Sequence, residues 1–212
     1  DVMIDQIKSE LLYSILNANP FTYPYLHYRY DSLLSIESVS QLESFWPLED
    51  EFKSYDSVFS SAKSKIKYPD RRVIDMRDCD DYTNFRRKDF WSTFYSKLSG
   101  PSFMQNILNK IAREGANHPL KDIVPPVLGN LQTNMILTED LDGYSLNPHV
   151  QNIKEIFVLL IYLPSAKNND LSGTSIYVPR PNYLSQSKTR LAFVHDRDNF
   201  NECFRTSYKK RS

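Results

Sequence analysis

The 212-residue chain has no excess of charge of either sign, because 26 lysine and arginine residues balance 26 aspartate and glutamate residues. A balanced chain creates no long-range field that attracts nucleic acid or an anionic membrane surface. It also has no long hydrophobic run: the longest, Ile156 to Leu163, falls far short of the roughly 20 residues that span a bilayer. The sequence therefore predicts neither a membrane partner nor a dedicated nucleic-acid-binding protein.

Cysteine is scarce as well, with only Cys79 and Cys203 in the chain. Two cysteines cannot build the disulfide framework on which small secreted domains depend. The sequence also contains no Asn-x-Ser/Thr glycosylation site, and no charged segment followed by an apolar stretch opens it as a secretory signal would. These absences predict a protein of the reducing cytoplasm.

The motifs of several enzyme classes are missing. The chain has five glycines and no glycine-rich phosphate loop, and it lacks the His-Glu-x-x-His, Cys-x-x-Cys and Gly-x-Ser-x-Gly motifs. Cys79 lies between Asp78 and Asp80, whose negative charges disfavour the thiolate that a cysteine nucleophile requires. These common routes to nucleotide binding, zinc chemistry and covalent hydrolysis are therefore not predicted.

Helix-like spacing of apolar residues dominates the N-terminal half. It predicts amphipathic helices over residues 5–16, 36–46, 90–98 and 103–111. Ser35 and Ser38 are candidate N-caps of the second helix, and Ser102 is placed to cap the fourth. The prolines within residues 19–25 predict an extended segment after the first helix. Residues 49–70 have little periodicity and are predicted to form a loop with one helical turn at most.

Short strands are predicted in the C-terminal part, over residues 131–137, 156–163, 175–178 and 191–194. The second of these is continuously apolar, as expected of a strand that is covered on both faces. Helices followed by several short strands are typical of an α+β fold whose helices brace one sheet. We expect a single domain over residues 1–212, with mainly helical support in residues 1–126 and the β-core in residues 127–212.

His149 is the residue on which the predicted chemistry centres. It follows Pro148 at the predicted start of a strand, and Gln151, two positions later, projects to the same face. A His-x-carboxylate pair of this spacing, joined by a distant histidine, forms the facial triad that binds non-haem Fe(II). Here glutamine replaces the carboxylate, so spacing alone favours a solvated histidine at a strand end over a metal ligand.

Several motifs resemble those of the 2-oxoglutarate/Fe(II) oxygenases. The segment GYSLNPHVQ is similar to the family's Gly-Pro-His-x-Asp segment, and the segment GTSIYVP resembles a strand that follows it. The matching motifs stand at residues 143–151, Lys154, 162–164, 173–179, 190–194 and 199–201. Residues 23–28 and 45–47 are more loosely similar to the family's first strand and first helix. The resemblance implies a double-stranded β-helix, or jelly-roll, core.

The resemblance also implies roles for individual residues. His149 matches the first iron ligand, while Gln151 stands at the position of the aspartate and Asn201 at that of the second histidine. Arg211 matches the arginine that binds the distal carboxylate of 2-oxoglutarate, a role that suits a planar guanidinium; a basic C-terminal tail is the alternative. Further implied 2-oxoglutarate-binding residues are Ser212, Tyr144 and Asn134.

This implied metal site has lost two of its three ligands. One histidine and two neutral amides bind Fe(II) poorly, because the anionic ligand and one imidazole are missing. A shifted loop that supplies His195 or Asp196 is a less favoured alternative. We therefore expect a non-catalytic relative that binds an unidentified small molecule, peptide or glycan. The competing hypothesis is an active hydroxylase with a non-standard ligand set, which would use Fe(II) and 2-oxoglutarate.

Overall fold

A computed structural model describes residues 1–59, 67–114, 131–149, 155–163, 173–181, 183 and 196–207. The chain divides into two compact units, Asp1–Tyr144 and Ser145–Ser212. Helices and small antiparallel sheets make up the described ranges, and these ranges contain no closed barrel. The predicted α+β class is therefore confirmed.

The helices and strands follow one another along both units. In chain order they are α1 Val2–Asn17, α2 Ile36–Ser44, β1 Lys53–Ser54, α3 Tyr55–Phe59, β2 Arg71–Asp75, α4 Lys88–Ser99, α5 Pro101–Glu114, β3 Ile136–Asp140, β4 Gly173–Pro179 and β5 Phe200–Ser207. Single 3-10 helices cover Glu49–Glu51, Met76–Asp81 and Arg197–Asn199.

Helices α1, α4 and α5 pack together and supply most of the core of the first unit. Each buries an apolar stripe with the spacing of one helix face. The buried side chains are Ile4, Ile7, Leu11 and Ile15 in α1, Phe90, Trp91, Phe94 and Leu98 in α4, and Phe103, Ile107, Leu108 and Ile111 in α5. These three predicted helices are confirmed. In the described ranges, none of the helices combines the length and apolar composition needed to cross a bilayer.

Of the predicted helix caps, Ser35 is confirmed and Ser102 is not. Ser35 caps α2, since its Oγ accepts the Ser38 N–H at 3.2 Å, and it also donates to Glu10 of α1 at 2.9 Å. Ser102 does not cap α5. That helix begins at Pro101, so Ser102 lies inside its first turn. A proline suits the first helical position, because its fixed φ is helical and its missing N–H would have no partner there.

Strands β1, β2 and β3 form an antiparallel sheet in the first unit, with β2 in the centre. β2 buries Val73 and Ile74, and its Arg71 forms a bidentate ion pair with Asp140 of β3, with N–O distances of 2.6 and 2.9 Å. The sequence did not predict β1 or β2. It placed β3 too early, at residues 131–137, because the pairing with β2 starts only at Ile136.

The second unit contains the antiparallel pair of β4 and β5, and the predicted strand over residues 175–178 is confirmed. Ile176 lies opposite Phe204 and Tyr177 opposite Glu202, so β5 has one extra residue at Cys203. Such a bulge lets two residues three apart reach one face of a strand. Arg205 accordingly donates to Glu202 at 2.8 and 2.9 Å.

Two other predicted strands, at residues 156–163 and 23–28, are not present as regular strands. Residues 156–163 are not a buried strand: they have no regular secondary structure, and Val158 and Leu160 are 49% and 53% exposed. An apolar run becomes a strand only where another backbone pairs with it, and none of the described strands does so here. Residues 23–28 form no strand beyond an isolated bridge between Phe21 and His27. The strand predicted at 191–194 lies outside the described residues.

Candidate functional site

His149 lies at the end of an irregular segment of the second unit. Its imidazole is exposed, the preceding Pro148 is buried, and Nδ1 lies 3.0 Å from the carbonyl oxygen of Asn147. A neutral imidazole that donates its Nδ1–H to a carbonyl keeps its lone pair on Nε2. This local hydrogen bond is the kind that orients histidine ligands in metal sites. The geometry therefore leaves Nε2 as the nitrogen that would contact a ligand.

Asn201 is the second residue of β5 and follows the 3-10 turn Arg197–Asn199. It lies opposite Val178 of β4 and its side chain is exposed. Asp196 caps that turn, because its Oδ1 accepts the Asp198 N–H at 3.1 Å. The cap engages one oxygen of Asp196, the side chain that is the alternative metal ligand in the sequence.

Arg197 connects the segment of His149 to the turn that leads to Asn201. Its Nη2 donates to Ser145 Oγ at 3.1 Å and to the carbonyl oxygen of Leu146 at 3.4 Å. Ser145 and Leu146 lie four and three residues before His149, and Arg197 lies four residues before Asn201. The sequence did not predict this role for Arg197, because an arginine between two aspartates gives no signal for a contact with a distant segment.

The remaining predicted site residues are not assembled by these contacts. Gln151, His195, Arg211 and Ser212 lie outside the described residues. Asn134 and Tyr144 belong to the first unit, whereas His149 and Asn201 belong to the second. Asn134 is exposed just before β3.

Tyr144 packs against the cross-strand ion pair of the first sheet. The guanidinium of Arg71 lies 4.1 Å from the centre of its ring. Burial raises the pKa of Tyr144 well above its ordinary value, and the charge of Arg71 offsets only part of this rise. The hydroxyl is buried and has no hydrogen-bond partner among the described residues. The contacts of Tyr144 therefore indicate a packing role for its ring against Arg71.

The donor set does not fit an iron ion. His149 offers one imidazole nitrogen, and Gln151 and Asn201, which the resemblance places at the other two ligand positions, offer only neutral amide oxygens. Fe(II) sites of this class use two imidazoles and a carboxylate. In the part of the chain that the structure describes, no three histidine, cysteine, aspartate or glutamate side chains cluster as metal ligands.

Comparisons with protein-family models, with curated proteins and with solved structures found no match to this chain. The resemblance to the 2-oxoglutarate/Fe(II) oxygenases therefore rests on the sequence motifs alone. The structure adds only the local geometry around His149, Asn201 and Arg197.

Replacing Arg197 by alanine should loosen the segment that carries His149. We expect hydrogen exchange of the amides in residues 145–149 to accelerate by about tenfold, because two hydrogen bonds to a charged donor are lost. The control is Arg205→Ala, which removes an arginine of the same unit that is bonded to Glu202 instead. Exchange measured by mass spectrometry should accelerate in the first variant only; equal rates in both would contradict the tether.

Proposed function

We propose that this chain is a non-catalytic relative of the 2-oxoglutarate/Fe(II) oxygenases that keeps their double-stranded β-helix as a binding module. The observation that carries the proposal is the pair of hydrogen bonds from Arg197 to Ser145 and Leu146. They tie the segment of the first ligand position, His149, to the turn before the last ligand position, Asn201. A site of this family needs these two segments close together.

The donor chemistry supports a loss of catalysis. Replacing a carboxylate by Gln151 removes the only negative charge, and replacing a histidine by Asn201 removes a much better donor than an amide oxygen. Neither replacement destroys the capacity for hydrogen bonding, because each carboxamide offers one acceptor oxygen and two N–H donors. Residues of this type suit a polar ligand better than a metal ion.

The proposal is tested by anaerobic titration of the full chain with Mn(II), a redox-stable substitute for Fe(II), followed by electron paramagnetic resonance. We expect wild type to bind Mn(II) no more tightly than about 1 mM, since one imidazole contributes little affinity alone. The double variant Gln151→Asp with Asn201→His should bind at least about a hundredfold more tightly, because it restores two missing ligands.

The matched control places the same two substitutions at sites in the first unit, as Gln132→Asp with Asn109→His. This control should bind Mn(II) like wild type. Addition of 2-oxoglutarate should not tighten Mn(II) binding to wild type. Stoichiometric binding by wild type that 2-oxoglutarate strengthens and that His149→Ala abolishes would instead establish an active ligand set and overturn the proposal.

A further inference from the structure

A compact loop at Phe21–His27, here called the aromatic loop, lies in the first unit, whereas His149 and Asn201 belong to the second. Its ends are joined by two backbone hydrogen bonds, from the Phe21 N–H to the His27 carbonyl at 2.8 Å and from the His27 N–H to the Phe21 carbonyl at 2.9 Å. The rings of these two residues are stacked, with centroids 5.3 Å apart. Tyr25 lies 5.6 Å from the His27 ring.

The aromatic loop holds large rings in water. Tyr23 is 71% exposed, Tyr25 is 54% exposed and Phe21 is 47% exposed. Tyr13, 72% exposed, stands one helical turn before Asn17 on the same face of α1. Exposed apolar residues scattered singly need no explanation, but a cluster of them marks a binding surface. Aromatic rings combine a flat apolar face with low conformational freedom, which suits them to recognition.

A groove of about 340 Å³ that is widely open to solvent lies beside the aromatic loop and is called the cavity below. Its volume falls at the lower end of the range that holds small ligands. Phe21, which is 47% exposed, is one of its lining residues, and the polar lining includes Asn17, Asn19, Arg29 and Asp31. The cavity therefore combines one aromatic surface with several side chains that form hydrogen bonds.

The polar lining carries donors and acceptors without net charge. Arg29 Nε lies 3.8 Å from Asp31 Oδ1, and the guanidinium lies 5.9 Å from the centre of the Phe21 ring. Asn17 donates from Nδ2 to the Tyr13 carbonyl at 2.8 Å, so its amide oxygen remains as an acceptor. The Asp31 carboxylate is an acceptor whose side chain is 88% exposed. An anion would be repelled by Asp31, and a cation by Arg29.

These features favour one class of ligand. A sugar ring presents a C–H face that packs on an aromatic ring, and its hydroxyls both donate and accept hydrogen bonds. We propose that this groove beside the aromatic loop binds an uncharged carbohydrate, with its C–H face against the exposed part of Phe21 and its hydroxyls bonded to Asn17, Asn19 and Asp31. A proline-rich peptide also binds aromatic surfaces, but prolines have no N–H and would leave the acceptors of the cavity without donors.

The test is calorimetric titration of the full chain with cellohexaose, chitohexaose and mannohexaose in turn. We expect at least one to bind with a Kd below about 1 mM. Phe21→Ala should weaken that binding at least about tenfold, and Asp31→Ala by about three- to tenfold. The control is Leu48→Ala. Leu48 is 44% exposed, close to the 47% of Phe21, but it does not line the cavity, so this variant should bind the sugar as tightly as wild type does.

Asp31→Ala keeps the aromatic loop intact and so separates a lost contact from a misfolded loop. His149→Ala should bind the sugar as wild type does, which keeps this result distinct from the metal titration. Failure of all three hexasaccharides to bind would overturn the proposal, as would equal binding by wild type and the Phe21 and Asp31 variants.

Binding of a decaproline peptide instead would assign the surface to a proline-rich partner. A concentration-dependent dimer in sedimentation that Phe21→Ala abolishes would assign it to a second copy of the chain.

Discussion

Replacing Lys110 by methionine is expected to lower the free energy of unfolding by about 3–5 kcal/mol, as the breaking of buried ion pairs does. Lys110 is only 3% exposed and lies on the core-facing side of α5. Its Nζ donates to the carbonyls of Leu16 and Ala18 at 3.1 and 2.7 Å and to Glu114 Oε1 at 2.7 Å. The ammonium thus satisfies carbonyls at the C-terminal end of α1, which have no partner within their own helix.

A second lysine provides the matched control. Lys97 of α4 pairs with Asp5 of α1 at 2.8 Å, nearly the distance of the Lys110 pair, but its side chain is 37% exposed and that of Asp5 is 49% exposed. Lys97→Met should cost less than about 1 kcal/mol, because water solvates the partner that remains. Urea unfolding of both variants at pH 7 measures the difference. Equal losses would contradict a special role for burial.

The loss in the Lys110 variant should depend on pH. Burial raises the pKa of Glu114, but the hydrogen bonds from Lys110 and Tyr28 lower it more, so its pKa lies below the ordinary value of 4.5. A carboxyl group with a lowered pKa stabilises the fold at pH above 4.5 and loses this contribution as the pH falls through its folded pKa. Without Lys110 the ionised carboxylate becomes unfavourable and protonation relieves it. The difference between wild type and variant should therefore shrink as the pH falls below 4.5, and a constant difference would contradict this linkage.

The sequence predicts the helices well because their signals are local. The stripe of Ile4, Ile7, Leu11 and Ile15 lies within one helix, and Ser35 bonds to a group three residues away. Strand β2 has no comparable signal. It contains Arg71, Arg72 and Asp75, and it becomes a strand because it pairs with β3, in a register that places Arg71 opposite a residue 69 positions later.

In the candidate site, too, local motifs could be predicted from the sequence and contacts between distant segments could not. His149 and Asn201 follow from motifs, but the tether between their segments joins Arg197 to a residue 52 positions away. Periodicity also cannot identify Lys110 as buried, because its partners are backbone carbonyls 92 and 94 positions away. Arg197 and Lys110 thus acquire their roles from partners far away in the sequence, and composition and spacing contain no information about those contacts.

Replacing Trp91 by alanine should be about as costly as the loss of Lys110, for a different reason. Trp91 is 3% exposed in α4, and its ring contacts Trp46 and Phe94 edge-on, with centroids 5.8 and 5.6 Å apart. Its Nε1 donates to the carbonyl of Phe45 at 2.7 Å. A large cavity in the core costs about 3–5 kcal/mol, and the Phe45 carbonyl loses its donor in addition.

Trp91→Phe separates the two contributions. Phenylalanine keeps most of the ring packing but has no N–H, so we expect a loss of about 1–3 kcal/mol from the unsatisfied carbonyl and a smaller cavity. Trp46→Ala is the comparison for ring size, since Trp46 is only half-buried and should cost less than Trp91→Ala. If urea unfolding gave Trp91→Phe the full cost of Trp91→Ala, the hydrogen bond to Phe45 rather than aromatic packing would hold α4 to the end of α2. If Trp91→Phe cost nothing, packing alone would do so, because the carbonyl would then have found water.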